Sequence, residues 1–386
     1  MRTQALKICV ISPRYSLTGV ALAQIRLARA LSERGHEVDM VFGCLDQDLL
    51  IPGTTALPDV PGVKMIDWGQ QKVRGMFVPL CRYLRRERPA AVFAAEDHMT
   101  DLVLAAALAT GSKAKITGSS RVFPFDQVGH GGPYSRQKFT KRWVFKLLTQ
   151  ALSHRADGLT CVSADMAEAY HELFGNQRHV AVHNIIVDEP SKVRMAEPVD
   201  HPWFAADAGV PLVVTAGTLT LRKGFTDLVH AIKALHDRGR PVRLAILGEG
   251  PMRGELEALV ATLGLRDFTW MPGRIANPLK YFARSPVFVL SSYSEGLPNV
   301  LVEAMMCGCV PVATDCPTGP REVLQDGKYG FLVPMHDPEA MATAIGQALD
   351  TPIPAAVLEK GIRSFEPQAV IDRHFAMLGL TQAAAA

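Results

Sequence analysis

The chain has 386 residues, 48% of them apolar and 20% charged, a balance that excludes disordered, collagenous and fibrous classes. At roughly 150 residues per domain, this length gives about two to three domains. Forty-one Lys and Arg against 38 Asp and Glu leave a net charge of +3, too even for a surface built to coat nucleic acid, so no nucleic-acid partner is expected.

The longest apolar runs, Leu102 to Ala109 and Pro286 to Leu290, fall short of the roughly 18 residues of a spanning helix. The N-terminal MRTQALKICVISP runs straight into a strand-like segment, so neither a signal peptide nor a membrane anchor is expected. The 7 cysteines are scattered and odd in number, which points to reduced thiols in the cytosol. Cys307 and Cys309 form a lone C-x-C without further ligands at metal spacing, and are expected to be small buried apolar groups.

In chain order, apolar runs bounded by turn residues alternate with helical periodicity, the pattern of parallel sheets covered by helices. The first unit predicts a strand at KICVISP, a loop from Arg14 to Gly19, and an amphipathic helix VALAQIRLARALSERG closed by Gly35. HEVDMVFG, PAAVFAA, AKITGS and GLTCVS are further strands. From Gln127 to Ala156 there is no carboxylate, while Arg136, Lys138, Lys141, Arg142, Lys146 and Arg155 are interleaved with Tyr134, Phe139, Trp143 and Phe145. Such a mixture on a predicted helix over 134–152 fits peripheral contact with an anionic membrane face, here the inner leaflet.

DEPSKVRMAEPVDHPWF is rich in Pro and charge and poor in periodicity, and reads as a linker. The strand rhythm then restarts at PLVVTAGTL and continues through VRLAILG, FTWMPG, SPVFVLSS, CVPVATD and GFLVP. The predicted organisation is a Rossmann-like domain over 1–190, a linker over 191–207, and a second Rossmann-like domain over 208–364. A closing amphipathic helix, PQAVIDRHFAML, falls within 365–386 and packs back toward the N-terminal domain, its polyalanine end fraying. Two such sheets facing each other make a central cleft at the carboxyl ends of their strands, where open α/β sheets bind ligands.

The strongest motif is SPVFVLSSYSEGLPNVLVEAMMCGCVPVATD. A strand ending at Ser291 leads to a loop carrying Glu295, Gly296 and Leu297, and a helix opening at Pro298, where a missing N–H costs nothing. The N–H groups of Asn299, Val300 and Leu301 then face outward with the positive end of the helix dipole, a cradle for an anion. Glu303 lies about 7 Å further along the helix axis at 1.5 Å per residue, so the two carboxylates flank that anion. A nucleotide sugar has this layout of sugar hydroxyls, diphosphate and ribose. AGTLTLRKGFTDLVHAI adds a strand ending at Gly217, then Arg222 and Lys223 ahead of a helix starting near Phe225, suited to a diphosphate.

VRLAILGEGPMRGELEAL places Gly248 in a G-x-G-x-x-x-G pattern after a strand, which by itself suggests a dinucleotide fold and an NAD(P)-dependent oxidoreductase. Against this, the acidic residue expected about 20 positions on is replaced by WMPGRIANP.

The E-x7-E pattern with GLPNVLVEAM, followed by CGCVPVATDCPTGPREVL and DGKYGFLVP, resembles the C-terminal domain of family-four retaining glycosyltransferases of the GT-B fold. The resemblance implies an α/β architecture and transfer of a hexosyl or N-acetylhexosaminyl group with retention from a nucleotide-diphosphate donor, UDP-linked by preference. The acceptor it implies is a glycan or a polyprenyl-diphosphate-linked sugar, as in cell-surface polysaccharide assembly.

Family members carry an Arg directly after the strand glycine, where Thr218 stands here; either Arg222 supplies that charge or the phosphate grip is weaker. By resemblance, the loop at Arg274 and Ile275 lies near the base, and SPRYSLTGVALAQ matches a glycine loop at Gly19 over the diphosphate. EDHMTD places His98 where the family shows a cleft histidine, and KITGSSRVF puts Arg121 in position to face an acceptor phosphate. Asp46-Gln47-Asp48 is read as a polar loop, so neither metal nor cofactor is expected. A UDP-sugar 2-epimerase on the same scaffold and a non-enzymatic sugar-binding module are the remaining alternatives.

Overall fold

A computed structural model of the chain describes residues 5–16, 19–46, 56–121, 151–175, 177–205 and 209–380. Among these, contacts divide the chain into a first unit of residues up to 121, 151–185 and 367 onward, and a second unit of 186–366.

The first unit holds a parallel sheet of strands β1 (Lys7–Tyr15), β2 (Glu37–Leu45), β3 (Val63–Asp67), β4 (Ala91–Ala95), β5 (Lys115–Ser120), β6 (Gly158–Cys161) and β7 (His179–Ala181). Their order is β3-β2-β1-β4-β5-β6-β7. Alternate residues of a strand face opposite sides, and a sheet covered on both faces needs apolar residues at every position. In β1, Ile8 and Val10 pack with Ile25, Leu31 and Phe375, while Cys9 and Ile11 pack with Leu80, Leu84 and Val103 on the other face. The helix Pro367–Leu378 contributes Val370, Ile371, Phe375 and Leu378 to the first of these cores, and Asp372 pairs with Arg34 at 2.5 Å.

The second unit holds β8 (Leu212–Ala216), β9 (Arg243–Leu247), β10 (Thr269–Gly273), β11 (Val287–Leu290), β12 (Val310–Thr314) and β13 (Phe331–Val333), in the order β10-β9-β8-β11-β12-β13, also parallel. β8 and β11, at its centre, are apolar throughout except for Thr215. All six strands coincide with expected runs.

Three features differ from the reading of the sequence. β3 and β7 are edge strands of five and three residues whose mixed burial leaves no apolar run to find. The expected linker contains the helix Glu189–Met195, started by Asp188, whose side chain accepts from the Ser191 N–H at 3.0 Å, with Pro190 in the first turn. β11 ends at Leu290 rather than Ser291, whose hydroxyl donates to the Lys223 carbonyl at 2.8 Å.

Candidate active site

In the second sheet the strand order reverses between β8 and β11, and the segments leaving the carboxyl ends of these strands carry the charged groups singled out above. After β8, Leu221–Lys223 form a single 3-10 turn closed by Gly224 at φ 61°, and the helix Phe225–Asp237 follows. A Cβ on Gly224 would lie 2.0 Å from the Ser291 carbonyl oxygen, so glycine alone lets the two loops touch. The contact brings Lys223 Nζ to 2.6 Å and Arg222 Nη1 to 3.5 Å from the Glu295 carboxylate. Arg222 also donates to the Ser294 carbonyl, and the Ser292 hydroxyl donates to Glu295 Oε1 at 2.6 Å.

Glu295 is buried, and burial pushes its carboxyl upward. Lys223 and Arg222, with the hydrogen bonds from Lys223 and Ser292, outweigh burial and hold it below the ordinary carboxylate range. It is therefore an ionised, internally paired group rather than an open carboxylate. Arg222 reaches the same carboxylate as Lys223, while Thr218 is exposed.

The loop after Glu295 is clamped by the segment after β12. Thr318 Oγ1 donates to the carbonyls of Glu295 and Gly296 at 2.9 Å each, and the Glu295 N–H donates to the Pro317 carbonyl at 2.8 Å. Gly319, at φ 94°, packs where a Cβ would meet Pro298 at 2.7 Å. The helix runs Asn299–Met306, with buried Leu297 and Pro298 leading into it and Pro298 as its cap rather than its first residue. The expected cradle of three outward N–H groups is corrected: Asn299 donates to the Leu297 carbonyl and Leu301 to the Pro298 carbonyl, both at 2.9 Å. Each closes a tight turn, leaving Val300 as the expected donor with no such turn bond. Glu303 is half-buried, fifth in the helix.

The glycines after β9 have a packing reason of their own. A Cβ at Gly248 would stand 1.9 Å from the Gly217 carbonyl oxygen, and one at Gly250 2.5 Å from that of Leu219. The two loops lie backbone to backbone, joined by Leu219 N–H to the Glu249 carbonyl at 3.0 Å, which accounts for both glycines without a dinucleotide. Arg274 is exposed and Ile275 half-buried, in the loop that follows β10.

In the first unit, His98 lies in the first turn of the helix Asp97–Thr110, exposed, with Nε2 3.3 Å from Glu96 Oε2. Asp97 is engaged structurally: Ser120 and Tyr170 donate to its two oxygens at 2.5 and 2.7 Å. It borders a cavity of about 20 Å³, shared with Thr100, Ser120 and His179, room for about one water. Arg121, just past β5, donates to Asn184 Oδ1 at 2.5 Å, and burial lowers its pKa to about 10 against the pull of Glu96. Gly19 is exposed at the first position of the helix Gly19–Glu33.

Two family models match this chain: Glycosyltransferase Family 4 over residues 17–189 and Glycosyl transferases group 1 over 210–351. The chain belongs to these GT-B glycosyltransferases. It is 33% identical over 138 residues, 36% of this chain and 37% of the relative, to a Campylobacter jejuni N-acetylgalactosamine-N,N'-diacetylbacillosaminyl-diphospho-undecaprenol 4-alpha-N-acetylgalactosaminyltransferase. A Rhizobium meliloti lipopolysaccharide core biosynthesis glycosyltransferase, LpsE, is 29% identical over 58% of this chain and 64% of its own. Anabaena Alr3699/HepE, solved in complex with UDP, superposes with a TM-score of 0.72 at 16% identity, covering 97% of this chain and 100% of that one.

Around these groups the sequence does not single out Ser292, Thr318 and Gly319, although the CPTGP motif contains the last two, nor Glu96 beside His98. Asp48 of the D-x-D tripeptide and most of the basic segment 134–152 lie outside the described residues. Among the described residues no group of three or more His, Cys, Asp or Glu gathers as a metal site does, and no helix is long and apolar enough to cross a membrane. Cys309 is buried and Cys307 half-buried; their thiols lie 3.0 and 3.5 Å from the carbonyls of Phe282 and Leu279.

Proposed function

We propose that this GT-B protein transfers a hexosyl or N-acetylhexosaminyl group, with retention of configuration, from a UDP-sugar to a glycan or polyprenyl-diphosphate-linked acceptor. The observation that carries this reading is the Lys223–Glu295–Arg222 cluster at the β8/β11 switch point, beside the start of the helix Asn299–Met306. Two cations held by one buried carboxylate are fixed in place before any ligand arrives. A diphosphate competes for them, and its charge gains most when the bond to the sugar breaks, which is the condition for catalysis.

The relatives support the same direction. One is named for a diphospho-undecaprenol acceptor, another for lipopolysaccharide core biosynthesis, and a structural neighbour holds UDP.

In this reading Lys223 and Arg222 take the leaving diphosphate, and the Val300 N–H with the helix dipole adds to their field. Arg274 and Ile275 border the base, and Glu303 holds the ribose. Glu295 returns to the reacting side as the cations turn to the phosphate, favouring positive charge at the anomeric carbon. The leaving phosphate oxygen takes the acceptor hydroxyl's proton, so that no separate base is required. On the acceptor side, His98 and Arg121 are the groups assigned to the incoming sugar and its phosphate, and the segment 134–152 is assigned to the membrane face.

The test is thermal unfolding of the purified chain against UDP, GDP, ADP, their common sugars, NAD and NADP, because a ligand that binds only the folded state raises the midpoint. The expected result is a rise with UDP and one UDP-sugar, about 2.7 kcal/mol at a hundred times Kd. A rise with dinucleotides alone, or with nothing, overturns the reading.

A further inference from the structure

The first sheet has its own reversal of strand order, between β1 and β4, and a second charged constellation lies at the strand ends around it. Arg14 comes from β1, Glu96 follows β4, and Arg121 follows β5. Both arginines act on the Glu96 carboxylate electrostatically, and His98 meets it at 3.3 Å. The Glu96 side chain nevertheless stays 29% exposed, so it is open to a ligand.

Two features set this cluster apart from an ordinary neutralised charge. Arg121 Nε is closed off from solvent and has no hydrogen-bond partner among the described residues, although Asn184 takes one of its terminal nitrogens. Glu96 itself sits at φ 72°, ψ 146°, a backbone region that glycine alone enters at low cost. Its N–H donates to Ser119 and its carbonyl accepts from Met99 and Thr100, contacts that any residue type supplies. The backbone therefore does not ask for glutamate there; only the side chain does.

We propose that Glu96 is the positioning residue of the acceptor side, its carboxylate accepting a hydrogen bond from a hydroxyl of a phosphorylated sugar whose phosphate lies against Arg121. The guanidinium of the half-buried Arg121 supplies the positive charge for the phosphate, its inward Nε marking a set of hydrogen bonds the protein leaves incomplete, and the neighbouring carboxylate reads the hydroxyl. This assignment rests on the glycosyl-transfer reading above and deepens it, since it names the chemistry of the acceptor.

The test is calorimetric titration of the full chain, saturated with UDP, with two probes: glucose 1-phosphate and inorganic phosphate. Glucose 1-phosphate is expected to bind at least ten times more tightly than phosphate. Glu96→Gln is expected to remove most of that difference and leave phosphate binding level or tighter, because the cations facing Glu96 are released, whereas Arg121→Lys weakens both. Glu96→Gly separates function from structure: with the strain relieved, its unfolding midpoint stays level or rises while the preference for glucose 1-phosphate disappears.

Sugar-phosphate preference intact in Glu96→Gly overturns the proposal, whatever the midpoint does. So does the absence of glucose 1-phosphate binding to a chain that does bind UDP. Failure of the parent chain to bind UDP at all strikes the donor reading instead, and the two failures are thereby distinguished.

Discussion

In the second unit a buried carboxylate, Glu295, is saturated: Lys223 at 2.6 Å, Ser292 at 2.6 Å and Arg222 at 3.5 Å leave it ionised and closed. In the first unit the corresponding carboxylate, Glu96, is partly open, burial pushes its carboxyl upward against His98, Arg121 and Arg14, and the arginine facing it keeps an unused N–H. Both stand at a strand-order reversal. The first arrangement is suited to a strong anion that displaces an internal one, the second to a ligand that completes an unfinished set of hydrogen bonds. Position in the fold is shared by the two sites; the state of charge pairing is what separates their chemistry.

The comparison breaks most visibly at Lys223. Lys223→Ala leaves the buried Glu295 charge with the Ser292 hydroxyl and the longer Arg222 ion pair, and is expected to cost about 3–5 kcal/mol in denaturant unfolding while abolishing the UDP-induced rise in midpoint. An unchanged stability would show that the pair is not closed in solution.

Gly224→Ala comes next: at φ 61°, with the Ser291 oxygen 2.0 Å from the new Cβ, the variant must separate the two loops. A loss of about 3 kcal/mol is expected, read by the same measurement. Glu295→Gln keeps the shape and removes the charge. Turnover of the UDP-sugar is expected to fall about a hundredfold, with UDP affinity level or tighter because the cations are released; weakened UDP binding would contradict the competition argued above.

The pH dependence sharpens the contrast between units. Burial lowers His179 to about 4, with smaller opposing and reinforcing effects from Asp97, His171 and Arg178, and lowers His374 to about 3, reinforced by Arg121; both belong to the first unit. Each folded value is depressed, so the stabilisation is full above the unfolded value near 6.5 and fades as pH falls toward the folded one. The slope is about 1.4 kcal/mol per pH unit for each ring.

Glu295 is also depressed, but its contribution fades only below the ordinary carboxylate value of about 4.3. Acidification from pH 6.5 toward 4.5 is therefore expected to loosen the first unit before the Glu295 cluster, as followed by hydrogen exchange in each unit. The smallest effect is at Thr218, where Thr218→Arg adds an exposed cation and is expected to tighten UDP by no more than about 1 kcal/mol; no change would indicate that Arg222 already supplies the charge.

Most of the fold was legible because central parallel strands are apolar on both faces and leave continuous runs such as KICVIS and VFVL. β3 and β7 were not, since VKMID and HVA are interrupted by polar residues and carry no continuous apolar run. Within the cluster around Glu295, Lys223, Arg222 and Glu295 were legible as residues. Their pairing was not, because the residues in contact are 72 and 73 positions apart and meet only through the glycine at 224. The three-donor cradle failed for a local reason: tight turns onto the Leu297 and Pro298 carbonyls consume two of the N–H groups of the helix's first turn.

The sequence by itself determined the alternation of strand and helix, the two-unit organisation and the charged loops of the family, because these depend on periodicity, turn chemistry and short-range spacing. The tertiary structure alone decided which charges neutralise one another, that Glu295 is closed and Glu96 open, and that Gly248 serves a loop contact. Those outcomes depend on burial and on distances between segments far apart in the chain, and neither quantity is written in local order.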